Sequence, residues 1–188
     1  MSERQRHGFA YEQYVIDTYD LEKAQEYTSV WDARTRDDQT PVSIKTKRIG
    51  GNVEMGSFSR NAYGDESFFL AVGFWQWRKT CIVEEHVLYI PRSYWDAQFP
   101  DEDLNEEVLN IFDGITNSYS DDAKWRERRR DVVNRWNELN TIIRIHPKRD
   151  HKKQRRVQCS IRTDKFYDEL VPRFATTCQD VDLLGEFQ

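Results

Sequence analysis

Residues Trp31 to Arg48, WDARTRDDQTPVSIKTKR, decide how this chain is read. One strand ends at Arg34. A polar turn holds Asp37, Asp38, Gln39, Thr40 and Pro41, and a second strand runs from Val42 to Arg48. Side chains alternate across a strand, so Val42, Ile44 and Thr46 share one face and Ser43, Lys45 and Lys47 the other. A turn centred between Asp38 and Gln39 sets Asp32 opposite Lys45. A carboxylate beside an ammonium on a sheet is a part that metal-dependent phosphodiester chemistry can use. It is also an ordinary surface ion pair, which contributes only about 0–1 kcal/mol.

The flanking stretches build a domain around this hairpin. Gly8 to Asp20 reads as a helix with Phe9, Glu12, Ile16 and Tyr19 on one stripe. Glu12 is a carboxylate on an apolar face, where it needs a cation, a donor or a metal. Tyr27 to Arg34 is the first strand of the hairpin. Ile49 to Asn52 break the chain, and Asn52 to Ala62 is a short helix or loop in which Gly56 disfavours helix. Glu66 to Trp75, ESFFLAVGFW, is nearly unbroken in apolar residues, as in a central strand buried on both faces. Thr80 to Ile90 is its hairpin partner.

Helices follow at Ser93 to Gln98 and Asp103 to Phe112. A longer one is capped by Ser120 and runs to about Asn140, with Trp125, Arg129, Val132, Trp136 and Leu139 inward. Thr141 to His146 and Arg155 to Ile161 form a hairpin whose loop begins at Pro147. A last helix runs from Thr163 or Asp164 to Leu170. The order predicts an α/β (α+β) fold, a central mixed β-sheet flanked by helices, in a single domain spanning 1–188 with a basic β-hairpin at about 141–161.

Composition narrows the function. Aromatics are 13% of 188 residues and include six Trp, which argues for a folded core despite 32% charge. The net charge of −5 means that any nucleic-acid surface must be local. The hairpin near the end supplies one: from Arg144 to Arg156 there are seven Lys or Arg and a single acid, Asp150. Lys148, Arg149, Lys152, Lys153, Arg155 and Arg156 are the candidates for phosphate contact, with Lys47 and Arg48 beside the first hairpin.

Three Cys without C-x-x-C spacing give neither a disulfide framework nor a thiolate zinc site, so a reducing, cytoplasmic setting is expected. No apolar run is long enough to span a bilayer, and the N-terminus lacks an apolar segment of the secretory kind, so no membrane is expected as a partner. The four His have no metal-ligand spacing, no Ser or Cys nucleophile elbow occurs, and Gly50–Gly51 lacks the Lys and Ser/Thr of a phosphate loop.

Hydrolysis of a phosphodiester needs a divalent cation, an activated water and a positive group near the reacting oxygens. Magnesium keeps several waters, so one or two carboxylates hold it. Asp32 is the first ligand candidate and Lys45 the positive group. Glu54 and Glu12, then Glu66, are the candidates for a second carboxylate.

A helix with a glutamate (GFAYEQYV), an Asp on one strand (VWDAR) and a Lys on the next (VSIKTK) resemble the PD-(D/E)XK nuclease superfamily over roughly the first 75 residues. The family's acidic residue two before the Lys is Ser43 in this chain, and Trp31 stands where the family has Pro. The resemblance to type II restriction enzymes with a serine there points to Glu54 as the replacement ligand. Resolvase-like members point to Glu12. The resemblance implies a restriction-endonuclease-like fold and a Mg²⁺-dependent DNA endonuclease that cuts double-stranded DNA as a homodimer. Asp32, Glu54 and Glu12 would hold the metal, and Lys45 would act on the water or transition state. The rival expectations are a non-catalytic nucleic-acid-binding protein using the basic hairpin, and an interaction protein whose charges are all solvated.

Overall fold

A computed structural model describes residues 3–24, 31–76, 81–115, 122–149 and 155–176, with the backbone alone at 3–7 and 122. In chain order the elements are α1 (Glu3–Thr18), β1 (Glu22–Lys23), β2 (Ala33–Arg34), β3 (Pro41–Arg48), β4 (Val53–Ser57), α2 (Phe58–Ala62), β5 (Phe68–Trp75), β6 (Ile82–Ile90), α3 (Arg92–Asp96), α4 (Glu102–Leu109), α5 (Asp122–Glu138), β7 (Ile143–Arg149), β8 (Arg155–Ile161), α6 (Thr163–Lys165), a π-helical turn (Phe166–Leu170) and α7 (Val171–Phe174). The fold is mixed α/β, as the order of periodicities predicts. The residues fall into two compact units, one of 1–53, 65–94 and 163–188 and one of 54–64 and 95–162.

The first unit holds a five-stranded sheet of order β1-β2-β3-β5-β6. β3 runs parallel to β5 and the other neighbours are antiparallel. β5 is the central strand expected from its composition, buried over seven of eight residues. Alternation sends Val42, Ile44, Phe69 and Ala71 to one face, where Tyr11, Val15 and Ile16 of α1 cover them. Phe74 faces the other way, 5.5 Å from the ring of Phe166 in the terminal helical segment. Past α7 the chain lies along the outer edge of β6. Ala175 bridges Leu88, and the Thr176 N–H and Oγ1 both donate to the Val87 carbonyl at 2.9 and 2.8 Å.

The inner stripe of α1 differs from the predicted one. Tyr11 and Val15 are buried beside Ile16, whereas Phe9 is 49% exposed. The helix is rotated because Gly8 comes against Thr46 and the Tyr11 ring lies on Gly73, where no side chain lifts it off the sheet.

The second unit holds a three-stranded sheet of order β4-β8-β7. Ile143 and Ile145 of β7 and Val157, Cys159 and Ile161 of β8 form its inner face. Val132 and Trp136 are buried on α5. The Trp136 indole N–H donates to the Ile143 carbonyl at 3.0 Å, and its ring meets Phe58 edge-on at 5.2 Å. Arg129, predicted inward, is exposed and sits over the Trp125 ring.

Two further expectations are corrected here. Val53–Ser57 is a strand, not helix or loop, and Gly56 sits at φ +84, which a side chain would resist. β7 continues through Pro147 to Arg149 instead of stopping at His146. Proline has no N–H for a ladder, but β7 is an edge strand, where one rim of the strand makes no ladder bonds. The expectations for 27–30, for Trp77, for the Ser120 cap and for the tail from 177 lie outside the described residues. Among the described residues no helix is long and apolar enough to cross a membrane.

Candidate functional site

The two-residue strand β2 and the eight-residue strand β3 carry the site. The turn between them spans Arg36 to Asp38, with Gln39 in the left-handed region at φ 59 and the Thr35 N–H donating to the Thr40 carbonyl. Thr35 Oγ1 donates to the Asp38 carboxylate, and the Thr40 N–H donates to both groups. These bonds hold the Asp38 carboxyl below the usual carboxylate range, the Thr35 hydroxyl being the largest cause.

The turn sets the register. Ala33 pairs with Val42 and Arg34 with Pro41, so the ladder points Asp32 at Ser43 and not at Lys45. The expected pairing was two residues off because the turn is centred one residue earlier than Asp38–Gln39. A shift of two keeps the face unchanged, so Asp32, Ser43 and Lys45 still lie on one side of the sheet, the side opposite α1.

At Asp32 the ladder becomes irregular, and the side chain takes over a backbone role. The Asp32 N–H donates to the Val42 carbonyl at 3.1 Å, and its own carbonyl accepts from the Ala24 N–H of the chain leaving β1 at 3.2 Å. The Ile44 N–H is taken by the carboxylate, at 2.7 Å to Oδ2. Lys45 Nζ donates to the same oxygen at 2.6 Å. The predicted Asp32–Lys45 pair therefore exists, joined diagonally across the hairpin. Its side chains are 31% and 23% exposed, so the charges reach water without being surrounded by it. Ser43, on the same face and toward which the ladder points Asp32, is buried at 4% exposure.

Glu12 and Glu66, two of the other predicted carboxylates, are engaged elsewhere in the first unit. Glu12 accepts an ion pair from Lys23 at 3.1 Å. Lys23 is opposite Ala33, whose side chain belongs to the core under α1, so this pair is on the α1 side of the sheet. Glu66 takes both guanidinium nitrogens of Arg34, at 2.9 and 3.0 Å. That bidentate contact lowers the Glu66 carboxyl and raises Arg34. Glu54 belongs to the second unit, on β4, and its charge adds to burial in pushing the Cys159 thiol up. Among the described residues no three His, Cys, Asp or Glu side chains gather to hold a metal ion. Asp32 is the carboxylate that meets Lys45 within the first unit, and one carboxylate is a donor set that fits magnesium held largely through its own waters.

Lys47 shares the face of Lys45 one pleat further along β3, and Arg48 ends the strand, exposed. In the basic hairpin, Lys148 stands opposite Arg156 and Arg149 opposite Arg155. The two pairs point to opposite faces. Lys148 donates to Gln158 Oε1, and Arg155 donates to the Ile115 carbonyl. Lys152 and Lys153 lie outside the described residues. The sequence reading passed over Arg144, which alternation puts on the outward face with Lys148. The signal was present in IRIHPKR, but ending the strand at Pro147 hid it. Comparison with protein-family models found no match, and comparison with curated proteins found no relative.

Proposed function

We propose that this protein is a metal-dependent endonuclease acting on double-stranded DNA, with Asp32 and Lys45 as its reacting-centre residues. The observation that carries the reading is the meeting of Asp32 Oδ2 with Lys45 Nζ at 2.6 Å, at the irregular end of a hairpin ladder. An Asp that served only as a surface partner would not need to replace a main-chain acceptor for Ile44. That bond removes the side chain's freedom, as a group that positions a reactant requires. The setting supports the same reading: α1 precedes the hairpin and covers its far side, and the buried strand β5 follows it in parallel.

Asp32 would hold the metal, which when bound polarises the phosphoryl group and makes its water more acidic. Lys45 places a fixed positive charge within reach of the same point, where charge develops on the phosphoryl oxygens. Ser43, buried on the same face, is a neutral neighbour and supplies no second negative charge. Two copies would serve the two strands of a duplex.

The test is cleavage of supercoiled plasmid with Mg²⁺, Mn²⁺ or EDTA. Nicking should require the metal and fall at least 100-fold in Asp32→Asn and in Lys45→Ala, since a positioned electrostatic group commonly supplies two to three orders of magnitude. Glu54→Gln and Glu12→Gln then show which carboxylate assists. Unchanged rates in Asp32→Asn and Lys45→Ala would remove the nuclease reading. Ser43 in the acidic position favours a second reading, a DNA-binding protein without hydrolytic activity. DNA binding with no cleavage under any metal would establish it.

A further inference from the structure

Most half-buried carboxylates of the first unit have a cation beside them. Glu12 meets Lys23, Asp32 meets Lys45, Glu66 meets Arg34 and Glu169 meets Lys165. Glu84 lies 2.6 Å from the His86 ring. Glu85 differs, because its partner is neutral: the Tyr11 hydroxyl donates to Oε1 at 2.9 Å. Among the described residues no Lys or Arg forms an ion pair with it. An anion drawn partly out of water loses hydration that one phenol returns only in part.

Glu85 is on the wall of a cavity of about 480 Å³, with Ala10, Tyr11 and Tyr14 of α1 and Ile82 and Val83 of β6. All of these residues belong to the first unit. Cavities of about 300–1,000 Å³, with apolar walls and a few fixed polar groups, are the kind that hold small molecules. This one is on the α1 side of the sheet, the side away from Asp32 and Lys45.

The two tyrosines have different parts. The Tyr11 ring is buried and offers a ligand no face, but its hydroxyl fixes the Glu85 carboxylate. Burial, and then the charge of Glu85, push that phenol up, so it stays a donor. The Tyr14 ring stacks beside it, with centroids 6.1 Å apart and planes 28° from parallel, and is 51% exposed. An accessible aromatic face next to a fixed carboxylate suits a flat cation. Guanidinium is planar, stacks on aromatic rings and donates to carboxylates in a fork. An ammonium is compact and strongly hydrated, and gains less from a single ring.

We infer that this cavity binds a guanidinium carried on an apolar stem. The guanidinium lies on the Tyr14 ring and donates to Glu85, and the stem rests on Ile82 and Val83. Tyr11 is a positioning residue for Glu85. The site goes beyond the proposed nuclease centre and does not depend on it.

The experiment titrates benzylguanidine and its uncharged isostere benzylurea into the protein in EDTA, followed by NMR of the probe. Wild type should bind benzylguanidine with a Kd on the order of 1 mM, as suits a fragment of that size. Benzylurea should bind about 10-fold more weakly, and Glu85→Gln should bring benzylguanidine down to the same level. Tyr14→Ala should weaken benzylguanidine about 3–5-fold, and Tyr14→Phe, which keeps the ring, should not. Tyr11→Phe should weaken benzylguanidine and leave benzylurea unchanged. N-Acetylarginine amide separates two sources of the group. Affinity within a few-fold of benzylguanidine assigns the cavity to an arginine side chain of a partner, and weaker binding assigns it to a free guanidine.

Urea unfolding checks each variant. Tyr14 is exposed, so its variants carry the test even where Glu85→Gln fails to fold. Uptake of neither probe by wild type overturns the inference, as does equal affinity for both. Wild-type affinity in both Glu85→Gln and Tyr14→Ala also overturns it. Asp32→Asn should bind benzylguanidine as wild type does, and loss of binding there would place the probe at the other site and overturn the assignment.

Discussion

Arg34 and Glu66 show how a single ion pair can be made informative. Both side chains are more than a third exposed, so the pair contributes about 0–1 kcal/mol at neutral pH and its removal changes stability little. Its trace is in the pH dependence. The Arg34 guanidinium holds the folded-state Glu66 carboxyl below its ordinary value. Its stabilisation is therefore complete above the unfolded value of about 4.3 and is lost as pH falls through the lower folded value. The difference in urea unfolding between wild type and Glu66→Gln, small at pH 6, should shrink as pH falls from the unfolded value through the lower folded value. A constant offset across that range would mean that Glu66 is not paired in solution. The same contact accounts for Glu66 as a structural acid: a carboxylate with both oxygens on one guanidinium is poorly placed to serve a metal.

Among the elements, α1 on the sheet is the packing most sensitive to one atom. A Cβ on Gly73 would come within 2.8 Å of the Tyr11 ring. Tyr11 cannot move aside freely, because its ring is 2% exposed and its hydroxyl donates to Glu85 at 2.9 Å. Gly73→Ala should cost about 1–3 kcal/mol in urea unfolding. In a Tyr11→Leu background the same change should cost less, since the two sites share the clash. Equal costs in both backgrounds would show that the helix adjusts without strain. This contact was not legible in the sequence. Glycine in FFLAVGFW reads as a weak point in a strand, and nothing local says that a ring eleven residues into the chain lies on it.

The elements that were legible owe it to composition or to alternation. Eight apolar residues from Phe68 to Trp75 leave few alternatives, and Val42 to Lys47 alternate cleanly enough to assign their faces. The elements that were not legible depend on tertiary position. VEMGS has no strand signature of its own, and Pro147 is tolerated only because β7 is an edge. At the candidate site, the meeting of Asp32 with Lys45 followed from parity alone. The register did not, because the left-handed Gln39 moves the turn by one residue.

At the scale of the whole molecule, the cysteines report on opening. Cys81 is exposed in the first unit, and Cys159 is fully buried in the second. The reactive species is the thiolate, and both burial and the charge of Glu54 hold Cys159 protonated. In native buffer iodoacetamide should label Cys81 and leave Cys159 untouched. Labelling of Cys159 should begin only as denaturant opens the second unit, read by mass spectrometry of the labelled peptides. Equal rates at the two sites in native buffer would mean that the β8 core is not closed.

The bridge between Ala175 and Leu88 has a consequence beyond holding the end of the described chain. A five-stranded sheet has two outer strands, and each is a template on which another copy could add a strand. At one end β1 is two residues long, too short to recruit a neighbour. At the other, Thr176 fills the Val87 carbonyl with two donors. Among the described residues, Ala175 and Thr176 thus occupy the Val87–Leu88 part of that margin, so a strand from another copy could not pair its backbone there without displacing them.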